Sequence, residues 1–196
     1  MPKGVKNPLW FGLASRLKAF REANSLTVIE LTRRTGIPNT TVFYIESGQS
    51  QPRLDTVERL AAALGVSPCW LAFGHDGKGR FTARIPRNGS KPRLPRSSGG
   101  ALPFDELFSG CSARLRERRQ AYGLTLRALA EEAGVSHQTI MNIEKGHQVP
   151  RLDVVHRLAV SLDMAPCWLA YGVGQKPGRV KRPIASPDPD DRREPA

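Results

Sequence analysis

Residues 125–146, TLRALAEEAGVSHQTIMNIEKG, are the stretch that decides the fold. They predict a first helix over 125–132, a turn at Gly134 and a second helix over 136–145. Glycine suits a turn that requires a positive φ. Ser136 is a good N-cap for the second helix, because its hydroxyl can accept a hydrogen bond from a free backbone N–H. The stretch therefore predicts two short helices joined by a tight turn.

The two faces of this stretch differ in chemistry. Apolar side chains recur at helical spacing and are expected to face inward: Leu129, Val135, Ile140 and Ile143. The opposite side carries His137, Gln138 and Asn142, which can all hydrogen-bond to the edges of bases. A helix–turn–helix of this length can place its second helix in the DNA major groove. The pattern thus favours a nucleic-acid partner.

Composition agrees with a polyanionic partner. The 196 residues carry a formal net charge of +12 and a sequence pI of about 10.4, which favours phosphate neutralisation and counterion release. A solvated basic protein without such a partner is the alternative. The three cysteines are an odd number, the first residues lack a secretory apolar region, and no apolar run approaches membrane-spanning length. We expect a cytoplasmic, nucleoid-associated protein with reduced thiols and no membrane partner.

The chain contains an internal repeat. A shift of 98 residues places residues 16–74 on residues 114–172 without a gap. Identical residues include PRLD at 52–55 and 150–153, and PCWLA at 68–72 and 166–170. The period is too long for a solenoid unit. The repeat predicts an all-α protein with two tandem five-helix domains, domain 1 over 8–74 and domain 2 over 103–172.

Proline and capping residues mark the start of each helix in the first copy, and no convincing strand is predicted. The predicted starts are Asn7-Pro8, Thr27 with Glu30 as a capping box, Pro38, Leu54, and Ser67-Pro68. The last of these opens a short fifth helix that is expected to bury Trp70 and Leu71.

A charged pair occurs at the same place in both copies. Arg21 and Glu46 lie near the inner side of the first and third helices, and Arg119 and Glu144 occupy the equivalent positions. Two independent surface charges are the simpler interpretation, but duplication in diverged copies argues against it. We expect a partly buried ion pair in each domain, which fixes geometry more than it adds stability.

Two further segments differ in composition from the domains. Residues 75–102 are rich in Gly, Pro, Ser and Arg and contain a single acid, which predicts a flexible basic linker. A flexible chain of this length spans ~30 Å, close to the ~34 Å between half-sites on one DNA face. The linker either contacts DNA or is a solvated tether. Residues 173–196 are expected to be a disordered tail.

Both copies resemble the Cro/C1-type, or XRE, helix-turn-helix family of the lambdoid phage repressors. The resemblance covers about two-thirds of the chain and rests on a combination of short matches. In the second copy these are Arg114-Leu115, Arg119, Leu124-Thr125, Leu129-Ala130, Gly134-Val135-Ser136, Thr139-Ile140, Ile143-Glu144-x-Gly146, Pro150-x-Leu152 and Leu158-Ala159. In the first they are Gly36-Ile37-Pro38, Thr41-Val42, Ile45-Glu46-x-Gly48 and Pro52-x-Leu54.

The resemblance implies a lambda-repressor-like fold and sequence-specific binding to double-stranded DNA. It places base-reading residues at the first exposed positions of the third helix and one turn later. Supporting backbone contacts would come from nearby threonines, a lysine and the arginines after that helix. The implied DNA-binding residues are Asn39, Thr40, Thr41, Tyr44, Arg53, His137, Gln138, Thr139, Asn142, Lys145 and Arg151. Where the family often has a phosphate-binding glutamine, this chain has Val28 and Leu126.

The resulting hypothesis is a transcriptional regulator, a repressor, that reads two unlike half-sites with two helix-turn-helix modules. The alternative is that one module, most simply the first, is a protein–protein interaction module in a regulatory or antitoxin-like complex. A homodimer or another protein partner stays open. Cys69 and Cys167 have no metal-ligand spacing around them, and the sequence lacks a phosphate loop or nucleophile motif. We therefore expect no metal, no cofactor, no small-molecule substrate and no enzymatic activity.

Overall fold

A computed structural model of the protein describes residues 11–74, 109–174 and 176–178. These ranges contain ten α-helices, five in module 1 (residues 11–74) and five in module 2 (residues 109–172). They are α1 Phe11–Ala23, α2 Val28–Thr35, α3 Asn39–Glu46, α4 Leu54–Leu64, α5 Pro68–Phe73, α6 Ser109–Ala121, α7 Leu126–Ala133, α8 His137–Glu144, α9 Leu152–Ser161 and α10 Pro166–Tyr171. The all-α, five-helix architecture predicted for each copy is confirmed. The linker, the Asn7-Pro8 helix start and most of the predicted tail lie outside the described residues.

The helix boundaries follow from the local signals in the sequence. The predicted capping box is present, since Thr27 Oγ1 accepts from Glu30 N at 3.1 Å and Thr27 N donates to Glu30 Oε2 at 2.7 Å. Ser67 Oγ accepts from Trp70 N at the start of α5. In module 2, Gly134 ends α7 with φ at +60°, a conformation that side chains with a Cβ rarely adopt.

The buried apolar residues of the two modules form one continuous cluster. Equivalent leucines are at its centre in both copies: Leu17 and Leu115 on the first helices are fully buried, as are Leu31 and Leu129 on the second. Trp70 and Leu71 of α5 are buried as the sequence predicts. Domains of this size bury only ~60% of their unfolded surface, so sharing a core adds burial that neither module has alone.

The predicted ion pairs are confirmed in both modules. Arg21 Nε and Nη2 donate to Glu46 Oε1 and Oε2 at 2.6 and 2.9 Å. Arg119 makes the same two-pronged contact with Glu144 at 2.7 and 2.8 Å. The hydrogen bond that each arginine donates to its carboxylate partner raises the pKa of the arginine, against the opposing effect of burial. Each pair fixes α3 or α8 against the first helix of its module.

A second arginine contact recurs in both copies and was not predicted from the sequence. Arg16 Nε and Nη2 donate to the backbone carbonyls of Leu71 and Ala72, at 3.0 and 2.9 Å. Arg114 makes the same contacts with Leu169 and Ala170. Burial lowers the pKa of Arg16 to about 10. These arginines satisfy carbonyls at the end of the short fifth helices, which would otherwise lack partners.

The two modules are joined directly by a reciprocal pair of backbone hydrogen bonds. Leu54 N donates to Pro150 O at 3.1 Å, and Leu152 N donates to Pro52 O at 3.2 Å. They flank an isolated antiparallel bridge between Arg53 and Arg151. We call residues 51–54 and 149–152 the module junction. Because each bond is the counterpart of the other under the 98-residue repeat, the junction has the reciprocity of a two-fold dimer interface within one chain.

The helices around the junction complete this interface. The fifth helices of the two modules, α5 and α10, pack against each other. Side-chain contacts do not follow the symmetry. With its amide nitrogen oriented towards Asp153, Gln51 donates to both carboxylate oxygens at 2.7 and 3.2 Å. The equivalent of Gln51 in module 2 is Val149, whose side chain cannot donate. The interface is therefore symmetric in its backbone and asymmetric in its side chains.

Buried polar groups without hydrogen-bond partners lie in the same region. Both carboxylate oxygens of Glu58 on α4 are buried and unpartnered, and so is the Tyr171 hydroxyl on α10. Burial, reinforced by Asp55, raises the pKa of Glu58 to about 7. Burial also raises the pKa of Tyr171, and the Glu58 charge adds to that effect. The residue equivalent to Glu58 in module 2 is His156, whose pKa is lowered by burial.

Three residues from the start of the predicted tail contact module 2. Arg118 Nη1 donates to Gly178 O at 2.7 Å, while its Nε donates to Leu162 O at 3.1 Å. Its guanidinium carbon lies 5.0 Å from the centroid of the Tyr122 ring. The backbone at 176–178 thus packs on α6, a contact that the Pro- and Asp-rich composition of the tail does not indicate.

We predict that Glu144→Ala lowers the free energy of unfolding by about 3 kcal/mol, because it leaves the Arg119 charge buried without its partner. The double variant Arg119→Met, Glu144→Leu should recover most of that loss. Urea unfolding at pH 7 measures both. Arg127→Ala is the matched control, since Arg127 and Glu131 form an exposed pair with side chains 87% and 72% accessible. Equal losses in Glu144→Ala and the control would contradict a role for burial.

We predict that Glu58 makes the folded protein less stable as the pH rises from about 4.5 to about 7. The unfolded carboxyl ionises near 4.5 and the folded one near 7. Between these values the folded state holds one more proton, so the free energy of unfolding falls with pH and is level above 7. Glu58→Gln should remove this slope and gain of the order of 1–3 kcal/mol at pH 8.

Chemical denaturation of Glu58→Gln and the wild-type protein between pH 5.5 and 8 measures this effect. The comparison cancels the opposite contribution of His156, whose lowered pKa stabilises the fold as the pH rises towards 6.5. Parallel pH profiles for the two proteins would show that Glu58 is not protonated in the folded state.

Candidate nucleic-acid interface

The outward side of α8 brings together the predicted reading residues of module 2. His137 and Gln138 are exposed, and Asn142 is half-buried one turn later. Gln138 Nε2 donates to Asn142 Oδ1 at 3.1 Å. This bond orients both amides while leaving the Gln138 oxygen and the Asn142 nitrogen available. A glutamine or asparagine amide can make a two-pronged contact with adenine in the major groove. With Met141, these three residues form what we call reading face 2.

Local structure holds α8 in register with its module. Ser136 Oγ accepts from Thr139 N at 3.1 Å and lies 2.7 Å from Thr139 Oγ1. On the inward side Ile140 and Ile143 are fully buried. Thr139, predicted to support the helix start near a phosphate, therefore belongs to the cap of α8. The cap and the buried isoleucines together decide which side chains face outward.

The outward side of α3 has a different character. Asn39 and Thr40 are exposed at its first turn, as predicted, and Tyr44 follows one turn later with 46% of its surface accessible. Phe43 beside it is 58% accessible. The two rings meet edge to face with centroids 5.8 Å apart. Asn39, Thr40, Phe43 and Tyr44 form reading face 1. Thr41, also predicted as a DNA contact, is half-buried.

Charge around the two reading faces also differs. Lys145 is exposed just after α8, whereas the equivalent residue after α3 is Ser47. On the second helices, Arg127 of α7 is matched by Ile29 of α2, which is 61% accessible. Reading face 2 is therefore bordered by cations at positions where module 1 has an uncharged or apolar side chain.

The predicted contacts Arg53 and Arg151 lie at the module junction. Both side chains are exposed although their backbones pair with each other. Arg53 Nε donates to Val149 O at 3.3 Å and lies 4.0 Å from Asp55 Oδ1. The chain runs from the end of α3 at Glu46 to Arg53, and from the end of α8 at Glu144 to Arg151. The two arginines thus lie opposite each other in the backbone pairing that joins the modules.

The positions where the family often has a phosphate-binding glutamine face the core in this protein. Val28 and Leu126 are half-buried and pack against the core. At these positions the side chain contributes apolar contacts and cannot donate to a phosphate. Sequence reasoning missed Ile29 on the surface of the same helix. The repeat could have indicated this exposed apolar residue, because Ile29 is aligned with Arg127 and arginine is typical of an exposed position.

The described residues give little support for metal binding or for a reactive thiol. Within them no group of three or more His, Cys, Asp or Glu side chains is arranged to hold a metal ion. Cys111 is buried, and burial raises the pKa of its thiol to about 12, so the reactive thiolate is scarce. Of the helices that the structure describes, none has the length and apolar character needed to cross a membrane.

The fold and the two outward faces define a DNA-binding protein of the helix-turn-helix class. A family model described as helix-turn-helix matches residues 17–71, and a second, described as a helix-turn-helix domain, matches residues 112–167. The chain belongs to the Cro/C1-type, or XRE, helix-turn-helix family, whose members are not enzymes.

Parts of the chain are similar to individual proteins. Over 48 residues the chain is 48% identical to an uncharacterized HTH-type transcriptional regulator of Methanothermobacter thermautotrophicus. This match covers 24% of this chain and 70% of that protein. Over 98 residues it is 33% identical to the HTH-type transcriptional regulator PrtR of Pseudomonas aeruginosa, covering 48% of this chain and 38% of that protein. The solved restriction-modification controller protein C.AhdI of Aeromonas hydrophila is 34% identical, with a TM-score of 0.30, and covers 30% of this chain and 89% of that one.

We predict that alanine at His137, Gln138 and Asn142 together removes sequence preference at one half-site while leaving the fold intact. Each lost two-pronged base contact should weaken discrimination by about 1–3 kcal/mol. Selection of bound duplexes from a random pool, with the wild-type chain and the triple variant, measures the change. The matched control is alanine at Asn39, Thr40 and Tyr44, which should affect the other half-site. An unchanged selected sequence in the first variant would refute the assignment of reading face 2.

Proposed function

We propose that this protein is a transcriptional repressor that reads two unlike DNA half-sites with one chain. The module junction is the observation that carries the proposal. Its reciprocal backbone hydrogen bonds, at 3.1 and 3.2 Å, relate two reading helices within a single chain as a two-fold axis relates them in a dimer. Helix-turn-helix dimers bind half-sites about one helical turn apart for this geometric reason.

The half-sites differ because the reading faces differ. Face 1 presents two amide or hydroxyl side chains and two aromatic rings, and face 2 presents imidazole, amide and thioether groups. A homodimer with identical faces favours a palindrome, whereas one chain with two faces has no such constraint. The operator of this protein is therefore asymmetric in sequence while it keeps the spacing of a two-fold site.

Regulation by occlusion fits this arrangement. A protein that occupies two successive grooves on one DNA face excludes others from the same segment. The named relatives from Methanothermobacter and Pseudomonas are transcriptional regulators, which supports control of transcription as the role. The formal net charge of +12 supports phosphate contacts along the duplex.

A second candidate function follows from the apolar character of module 1. Ile29 and Phe43 expose 61% and 58% of their surfaces, and exposed apolar side chains of this size often belong to protein interfaces. In that case module 1 binds a regulatory protein and module 2 alone reads DNA. The DNA selected by the full chain distinguishes the two, since a lone reading head selects one half-site.

We predict that a change of half-site spacing abolishes two-headed binding. Once selection has given the operator, inserting about five base pairs between its half-sites turns one of them to the opposite DNA face. Modules held by the junction cannot follow this turn, so affinity should fall to that of a duplex with a single half-site. Titration of the full chain by fluorescence anisotropy measures it, with the single-half-site duplex as control. Unchanged affinity would mean that the modules move independently on the linker.

A further inference from the structure

The two reading faces differ most at two neighbouring positions. Phe43 and Tyr44 on α3 are aligned with Met141 and Asn142 on α8. The rest of the scaffold is equivalent, with the same ion pair to the first helix and the same buried apolar positions. Val42 and Ile45 are 0% and 1% accessible. Because these two side chains are fixed in the core, the intervening Phe43 and Tyr44 must point away from it.

The aromatic pair is arranged as a preformed apolar surface. The rings are inclined at 66° with centroids 5.8 Å apart, an edge-to-face contact that is favourable for aromatic rings. The contact orients Tyr44, on the turn after Asn39 and Thr40, before any ligand binds. About half of each ring's residue surface is accessible, so burying it against an apolar group is favourable.

The major groove offers one such apolar group. Among the four base pairs, only the C5-methyl group of thymine is apolar at the major-groove edge, while the other groups are hydrogen-bond donors or acceptors. A 5-methylcytosine carries the same methyl at the same ring position. An aromatic pair on a helix in the groove therefore discriminates through methyl groups, whereas amides discriminate through adenine.

DNA is the occupant that the described contacts favour over a protein. Glu46 is held by Arg21 as Glu144 is held by Arg119, so α3 and α8 have the same placement within their modules. The module junction then relates the two helices by a two-fold operation. In helix-turn-helix dimers a two-fold operation places the two recognition helices in successive grooves of one DNA face, and the proposed function assigns the same arrangement to faces 1 and 2.

We propose that Phe43 and Tyr44 make module 1 a reader of 5-methylpyrimidine groups, so that its half-site is specified by thymine methyls. The proposal rests on the proposed function, since it names what the first head reads. It also accounts for the two exposed aromatic rings on face 1, because a methyl contact needs apolar surface.

The test removes single methyl groups from the DNA. Thymines of the module 1 half-site are replaced one at a time by uracil, which keeps every hydrogen-bonding group of the base edge. We expect the dissociation constant of the full chain to rise about fourfold at a contacted thymine, the effect of exposing one buried methyl. In Phe43→Ala and Tyr44→Ala the same replacement should have no further effect at the thymine that each ring contacts. Tyr44→Phe should keep the wild-type response.

Three controls make the outcomes distinct. Uracil in the flanking DNA should have no effect in any variant. The thermal midpoint of each variant should fall by only a few degrees, because both rings lie outside the buried core. A 5-methylcytosine–guanine pair at a contacted position should bind more tightly than cytosine–guanine, which shows that the methyl itself is read. If binding still requires the module 1 half-site but its affinity does not change with uracil, the methyl proposal is overturned and the two-headed function stands. If the full chain selects only the module 2 half-site and Phe43→Ala does not change DNA affinity, the methyl proposal and the two-headed function are both overturned. That result would favour a protein partner for module 1.

Discussion

The ion pair between the first and third helices is the interaction on which the rest of the structure depends. A reading helix of eight residues is too short to be stable in isolation, so its position is set by what it packs against. Glu46 and Glu144 are held by two-pronged contacts with Arg21 and Arg119. Such contacts have a preferred plane and direction. They therefore fix the rotation of the reading helix about its own axis more sharply than buried apolar side chains would alone.

Duplication has turned this unit into an intramolecular dimer. The junction uses backbone groups for its reciprocal hydrogen bonds, and backbone bonds tolerate side-chain divergence on either side. The interface therefore keeps its two-fold character although Gln51 is aligned with Val149, and Glu58 with His156, under the 98-residue repeat. The unpartnered carboxyl of Glu58 adds a buried polar group close to the interface, and burial raises its pKa.

The two reading helices of a single chain can diverge in sequence, whereas those of a homodimer are identical. In a homodimer every change on the reading helix appears at both half-sites. Here Tyr44 and Asn142 occupy the same scaffold position and differ in chemistry, as do Ile29 and Arg127. Aromatic and amide groups recognise different features of the groove. Under the proposed function, the shared scaffold sets the spacing of the operator and the differing residues set its two half-site sequences.

Most of the fold was determined by the sequence alone, because its signals are local. Capping residues such as Thr27 and Ser67, the apolar spacing within residues 125–146 and the 98-residue repeat predicted the helices. The duplication of Arg21 and Glu46 predicted the ion pairs. The outward placement of Gln138 and Asn142 followed from the same periodicity. The junction could not be predicted, because backbone hydrogen bonds between Leu54 and Pro150 leave no mark on side-chain patterns. PRLD recurs in both copies, but only the tertiary structure decided that its two copies pair with each other and bring Arg53 opposite Arg151.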